Sequence, residues 1–410
     1  MRSEPESPYA WLRLSAALAL MTLGGSGMYG IAVALAPVQA EFGVTRADAS
    51  LPYTLTMIGF GAGGILMGRL SDRFGVMVPT LVGAIGLGSG FVLAGNAQTL
   101  WQFSLAHGFL IGLLGCSATF APLVADTALW FNRRRGIAVA ICASGNYLAG
   151  AVWPPILQYG FDTIGWRNTY IGTGIFCTAA MLVLAFALRP RPPAMETAAQ
   201  AGGLLRSERP LGLSPNGMTA LLALAGIGCC VAMSMPQVHI VAYCSDLGYG
   251  ATNGAQMLSI MLAFGIVSRL VSGWICDRIG GLRTLLLGSV LQGIALFLFL
   301  PFNGLVSLYV VSAMFGLFQG GIVPAYAIIV REYFPPREAG VRTGIVLMAT
   351  LFGMALGGWM SGAIFDLTGS YRAAFVNGIA WNLLNLTIAV WLLRRKDWEA
   401  ARARSTLLPH

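Results

Sequence analysis

The chain has 410 residues, 56% of them hydrophobic and only 10% charged, with a formal net charge of +9. A soluble globular domain carries about 25% charged residues, so water is excluded as the main solvent of this protein. The positive excess falls in short segments between apolar runs, where membrane topology explains it, and a nucleic-acid partner is excluded despite its sign.

A transmembrane helix needs about 20 mostly apolar residues. Twelve such runs follow one another, at residues 11–37, 47–69, 77–96, 100–128, 136–160, 167–188, 216–243, 252–275, 282–301, 305–330, 339–365 and 372–393. The first is too long, and too like the others, to be a cleaved signal peptide. The expected fold class is an all-α polytopic membrane protein, with the lipid bilayer as its first partner. Of the 25 Lys and Arg residues, 21 fall at one face of this arrangement, and three (Arg46, Arg167 and Arg372) fall at the other. Basic residues collect on the cytoplasmic side, so both termini are expected there. Arg269 belongs to neither face.

Seven cysteines and three histidines form no C-x-x-C pair and no metal-ligand spacing. They predict neither a disulfide framework nor a metal site. No phosphate-binding loop and no cluster of hydroxyl, His and acid is found, so neither an enzyme nor a cofactor is expected.

The chain repeats itself. GRLSDRFG at Gly68–Gly75 returns as GWICDRIG at Gly273–Gly280, 205 residues on, and Trp166-Arg167 returns as Tyr371-Arg372 at the same separation. Trp130-Phe131 returns as Tyr333-Phe334 at 203. Glycines four apart, Gly59/Gly63 and Gly64/Gly68 in the second run and Gly353/Gly357 and Gly358/Gly362 in the eleventh, predict close helix packing. The expected organisation is two pseudo-symmetric six-helix halves, 1–188 and 216–394, with a cytoplasmic linker at 189–215 and a cytoplasmic tail at 395–410.

Two six-helix halves and the doubled G-x-x-x-D-R-x-G loop resemble the major facilitator superfamily over essentially the whole chain. The resemblance implies a transporter whose halves rock about a central site, and which functions as a monomer in the cell membrane, such as a bacterial inner membrane. It further implies that Asp72, Arg73, Asp277 and Arg278 form a cytoplasmic latch, the loop Asp capping the start of the eleventh helix and Arg73 meeting Asp126. For the second copy, position 331 holds Arg331 beside Glu332, which leaves its pairing open. A narrower resemblance rests on WFNRRRGIAVAICASGNYLAG at 130–150, GWR at 165–167, MPQVHIVAYCSDLGY at 235–249 and SRLVSGWICDR at 268–278. These segments resemble the monocarboxylate and oxalate:formate branch, which implies a small organic anion as substrate, carried by symport or antiport.

Arg269 points the same way on physical grounds. It lies eight residues before Asp277, about 12 Å along a helix and close to the middle of a hydrocarbon core about 30 Å thick. A charge there faces a cavity, and none of the 16 acidic residues is expected at its depth. An anionic substrate would complete the pair through the planar fork of a guanidinium, although satisfaction by helix carbonyls and water is the alternative. Lys396 is the chain's one lysine, so the cavity offers a single fixed cation and a monocarboxylate is favoured over a compact dianion.

The first helix has no Lys, and Gly265 stands four residues before Arg269 in place of an acid, so the branch's usual proton-coupling residues are missing. His239 is the candidate replacement, with Asp246 behind it, and a hydrogen-bonded packing role is the competing assignment. His107 is expected to be structural. Tyr29, Asn146, Tyr147, His239 and Tyr326 join Arg269 as candidate substrate contacts, and Trp153-Pro154-Pro155 is expected to kink the fifth helix. The alternatives are an oxalate/formate-type exchanger, a drug or cation:proton antiporter, and a transporter-derived sensor that binds without moving its ligand.

Overall fold

The computed structural model describes residues 6–190 and 210–405. Twelve helices among them are long and apolar enough to span a membrane: α1 (Pro8–Phe42), α2 (Arg46–Phe74), α3 (Met77–Gly95), α4 (Leu100–Trp130), α5 (Arg135–Ile164), α6 (Trp166–Leu188), α7 (Pro215–Asp246), α8 (Ala251–Ile279), α9 (Gly281–Leu298), α10 (Leu305–Tyr333), α11 (Glu338–Thr368) and α12 (Tyr371–Glu399). No strand occurs among the described residues. Most of the segment read as a linker, residues 191–209, lies outside them. The last helix runs on to Ser405, through most of the segment read as a tail. Pro154 and Pro155 sit inside one continuous helix, where the Trp153 ring nitrogen donates to the Thr22 carbonyl at 2.8 Å.

Glycine decides which helices touch. A side chain at Gly59 or Gly63 would run into the backbone of α4 at Gly108 and Leu113. Those residues belong to a π-helical stretch, Ala106–Cys116, whose wide turns are rare and recur at functional sites. In the other half, Gly353 and Gly357 lie against α7, at the carbonyls of Ile227 and Val231. The α-helical path of α4 breaks at Phe120 (φ −116°, ψ −80°), and α10 breaks between Gln319 and Ile322. Interrupted helices at corresponding points of two repeats mark the region of a central site.

The halves meet where α2 runs along α11 and α5 along α8. Contact is tight toward the face away from the termini. A Cβ on Gly362 would stand 2.8 Å from the Arg46 carbonyl oxygen, one on Gly358 2.9 Å from the Tyr53 ring, and one on Gly61 2.6 Å from the Met348 sulfur. About one turn beyond Gly61 the partner is gone. Gly64 and Gly68 on α2, Gly340 and Gly344 on α11, Gly136 on α5 and Gly273 on α8 meet nothing within 4 Å. The halves are clasped at one face and parted at the basic face, with a crevice between.

At the basic end of the first half lies a buried ion pair. Arg13 donates through Nε and Nη2 to the two oxygens of Asp126, both at 2.8 Å, with the residues only 2% and 7% exposed. Its guanidinium also lies 4.8 Å over the Trp130 ring and reaches the Ala187 and Pro190 carbonyls. With the basic face parted, Asp126 meets Arg13 from inside its own half and not Arg73, which is exposed and lies over the neighbouring Phe74 ring at 5.2 Å.

Removing one partner of a buried pair strands the other charge, at a cost of about 3–5 kcal/mol. Asp126→Leu is therefore expected to lower the melting temperature of the purified protein strongly, and Arg13→Leu/Asp126→Leu to recover much of the loss. Melting curves in detergent test this, and a double variant that simply adds the two single losses would refute the pairing energy.

Candidate functional site

Arg269, on α8, lies against α5. Its Nη1 donates to the Ala143 carbonyl at 2.9 Å, and its guanidinium carbon stands 4.6 Å over the Tyr147 ring. Its Nε is buried with no hydrogen-bond partner. Among the described residues Arg269 makes no ion pair. A guanidinium has five N–H donors, and here Nη1 is matched to a backbone carbonyl while the buried Nε is not.

Ala143, Tyr147 and Gly150 repeat at helical spacing and form one face of α5. Two glycines let the helices close there. A Cβ on Gly265 would stand 2.6 Å from the Tyr147 ring, and one on Gly150 2.8 Å from the Tyr29 ring. Gly265, the position that departs from the branch's acid, is thus the space the Tyr147 ring occupies. Tyr29, from α1, is within electrostatic reach of both Tyr147 and Arg269, and Tyr53, from α2, is within reach of Tyr29. Tyrosines from two helices, Tyr29 and Tyr147, thus gather on Arg269, and Tyr53 adjoins Tyr29. Tyr53 was missed in the sequence, where its one signal is a place on the same helix as the glycine pairs.

Asn146, beside Tyr147, is half-buried and forms no hydrogen bond to the described residues. It lines a small cavity with Met28, Phe60, Thr119 and Phe120, at the break in α4. Arg269 is not among the residues that line this cavity, so the amide and the cation stand apart, and the aromatic surface beside the guanidinium is that of Tyr147.

Two expected contacts are elsewhere. His239 is buried, with Nε2 2.8 Å from the Gly358 carbonyl and Nδ1 3.1 Å from the Tyr371 hydroxyl. A carbonyl can only accept, so Nε2 carries the proton and Nδ1 accepts. The ring therefore ties α7 to α11 and α12 and does not line the cavity. Tyr326 is fully buried and donates to Asn385 at 2.9 Å, which donates to Ser289 at 2.7 Å. Its phenol points into the second half, toward α12 and α9.

Asp246 is engaged at the clasped face, 3.2 Å from Arg46 across the halves. Arg46 is 7% exposed, donates to the Tyr371 hydroxyl at 2.8 Å and lies 4.7 Å over the Phe365 ring. Arg13 and Arg46, assigned to opposite faces by sequence, are thus both buried and paired. His107 is buried beside Phe103, with Nδ1 3.4 Å from the Thr56 hydroxyl. Asp72, Arg73, Asp277 and Arg278 are all exposed, and Arg278 lies 3.8 Å over Trp274. Glu332 accepts the Gly281 amide at 2.9 Å, at the start of α9. No cluster of metal-ligating side chains occurs among the described residues.

A family model described as Major Facilitator Superfamily matches residues 16–307 and 271–407. Monocarboxylate transporter 13 of Rattus norvegicus is 27% identical over 346 residues, 84% of this chain and 78% of that protein. Monocarboxylate transporter 11 of Homo sapiens is 27% identical over 391 residues, 91% of this chain and 80% of that one. The solved structure of a bacterial homologue of the human lysosomal transporter Spinster, in an inward-facing and occupied conformation, superposes with a TM-score of 0.70 at 15% identity, covering 96% of this chain and 98% of that one; this likeness is one of fold. With its twelve apolar helices and its two clasped halves, the chain belongs to the Major Facilitator Superfamily and is a multi-pass membrane transporter, not an enzyme.

Proposed function

We propose that the protein carries a small organic anion with a single carboxylate by alternating access, and that Arg269 receives the carboxylate. The observation that carries this reading is a guanidinium near the middle of the membrane with one backbone carbonyl, one aromatic ring and no acid as its partners. A cationic cargo would meet repulsion there, and a compact dianion would find one cation where it needs two. The tyrosine rings beside Arg269 favour an acid with an apolar or aromatic end. The names of the relatives, monocarboxylate transporters 11 and 13, agree with this class. The basic face is assigned to the cytoplasm, which makes the parted crevice an inward-open state with both termini inside.

Proton coupling is assigned to His239 and the chain it joins. His239 accepts from Tyr371, whose hydroxyl accepts from Arg46, which pairs with Asp246; Asp366 faces the same group. Protonating the imidazole would force Tyr371 to release its hydrogen bond, and so act on the contact that clasps the halves.

Two measurements follow. Charge-assisted hydrogen bonds are worth about 1.5–3 kcal/mol, so Arg269→Ala is expected to weaken binding of the best monocarboxylate by about ten- to a hundredfold. Arg269→Lys keeps the charge, loses the fork and is expected to fall between. Equal isotherms for wild type and Arg269→Ala, both folded, would remove the anion site. For coupling, His239→Gln is expected to flatten the pH profile of liposome uptake while anion exchange persists. A wild-type profile would return His239 to packing alone.

A further inference from the structure

The octapeptide pattern is wider than the doubled loop. Of the chain's eight aspartates, four stand three residues before a glycine at a helix end: Asp72 on α2, Asp162 on α5, Asp277 on α8 and Asp366 on α11. These are the four helices of the interface between the halves. In three of them a glycine also stands four residues before the aspartate, at Gly68, Gly273 and Gly362, and α5 has Gln158 at that place. The closing glycines, Gly75, Gly165, Gly280 and Gly369, have φ of +84°, +81°, +83° and +65°, a region other residues rarely enter. Each helix therefore stops with a carboxylate in its last turn, where its own dipole opposes negative charge. An acid kept there needs a positive field from another element.

At the clasped face that field is the N-terminus of the facing helix. Asp366 accepts the Arg46 amide at 2.9 Å and the Ala47 amide at 2.7 Å, the first two of α2. The next amide, of Asp48, is taken by the Thr45 hydroxyl at 3.1 Å. Gly362 makes the approach possible, since a Cβ there would stand 2.8 Å from the Arg46 carbonyl oxygen. The companion contact is looser. Asp162 accepts from the Thr252 hydroxyl, in the first turn of α8, at 3.3 Å, while Gln158 donates to its other oxygen at 2.8 Å.

At the basic face the same pattern is idle. Asp72 and Asp277 are exposed, and Gly68 and Gly273 meet nothing within 4 Å. Of the helices that face them, α11 begins without a side-chain cap, and at the start of α5 the Arg134 amide is held by the Glu6 carboxylate at 2.8 Å.

We propose that Asp366 and Asp162 are gating residues of the outer face, where they repeat the helix docking that the family resemblance implies for the loop aspartates of the basic face. The glycine admits the first turn of the facing helix, and the aspartate caps it. When the outer face opens, Asp366 and Asp162 are released, while Asp72 docks on α11 and Asp277 on α5. The inference rests on the alternating-access reading but not on the identity of the substrate.

The test uses two reporter cysteines in the full chain, whose own seven cysteines are buried: Thr54→Cys in the clasped α2–α11 contact and Gly344→Cys in the open crevice. Asp366→Asn is expected to speed maleimide labelling of the first and slow that of the second by about two- to tenfold. Gly362→Ala, which changes no charge, is expected to shift both rates in the same direction, and Asp72→Asn to shift both in the opposite one. Unchanged rates in Asp366→Asn or Gly362→Ala, or a shift of the same sign in Asp72→Asn, would overturn the assignment. If Asp366→Asn fails to fold, Gly362→Ala decides alone. Binding isotherms on the same variants keep the carboxylate site and the latch separable, because a failed latch leaves Arg269 binding intact.

Discussion

A guanidinium carried into a membrane has to be matched where it lies, because hydrocarbon supplies neither water nor counter-ion. Among the described residues Arg13 and Arg46 are buried and Arg269 is half-buried, and each is matched to a different degree. Arg13 has a carboxylate in bidentate contact, two carbonyls and a ring, all from its own half. Arg46 has a carboxylate, a phenol and a ring, all from the opposite half. Arg269 has one carbonyl and one ring. The first arrangement is complete within a rigid body. The second is complete only while the clasped face is closed, and the third is incomplete among the described residues. On the function proposed above, rigidity, gating and recognition are divided among three residues of one type by what surrounds them.

The membrane spans and the repeat were legible because both are periodic properties of the chain itself. Length and hydropathy mark a span whatever it packs against, and a 205-residue offset needs no partner to be seen. Arg269 was legible for a similar reason, since depth follows from counting residues along a helix. Pairings were not. Asp126 has Arg13 as its partner 113 positions away, and nothing along the sequence ranks Arg13 over Arg73 as the nearer cation. Tyr326 and His239 carry the chemistry of a binding site, but the direction of a side chain around its helix is set by neighbours such as Asn385 and Gly358. Three of the four glycine pairs are contacts whose partners the sequence did not name, with Gly59/Gly63 and Gly353/Gly357 serving the inside of a half and Gly358/Gly362 the boundary between halves, whereas Gly64/Gly68 meets nothing within 4 Å.

The two faces obtain the same balance of charge by different routes. In the basic-face copies, Asp72-Arg73 and Asp277-Arg278, the cation follows the aspartate on the docking helix, where it also serves the positive-inside asymmetry of the loops. In the outer copies the following residues are Leu367 and Thr163, and the cation is Arg46, on the helix that is docked. There it is itself neutralised by Asp246, so the outer face closes without adding an exposed positive charge. Alternating access requires that neither closed face be far more stable than the other, since a substrate can shift the balance only by the difference in its affinity for the two states. Opening a face returns its carboxylates and helix ends to water, which solvates them well, so each clasp is weak relative to the contacts that hold a half together. Asp162, tied partly to Gln158 and only through a hydroxyl to α8, weakens the outer clasp further on one side. The strong cap of α2 by Asp366, reinforced by Arg46, is therefore confined to one of the two helix pairs, which keeps the outer face closed without locking it.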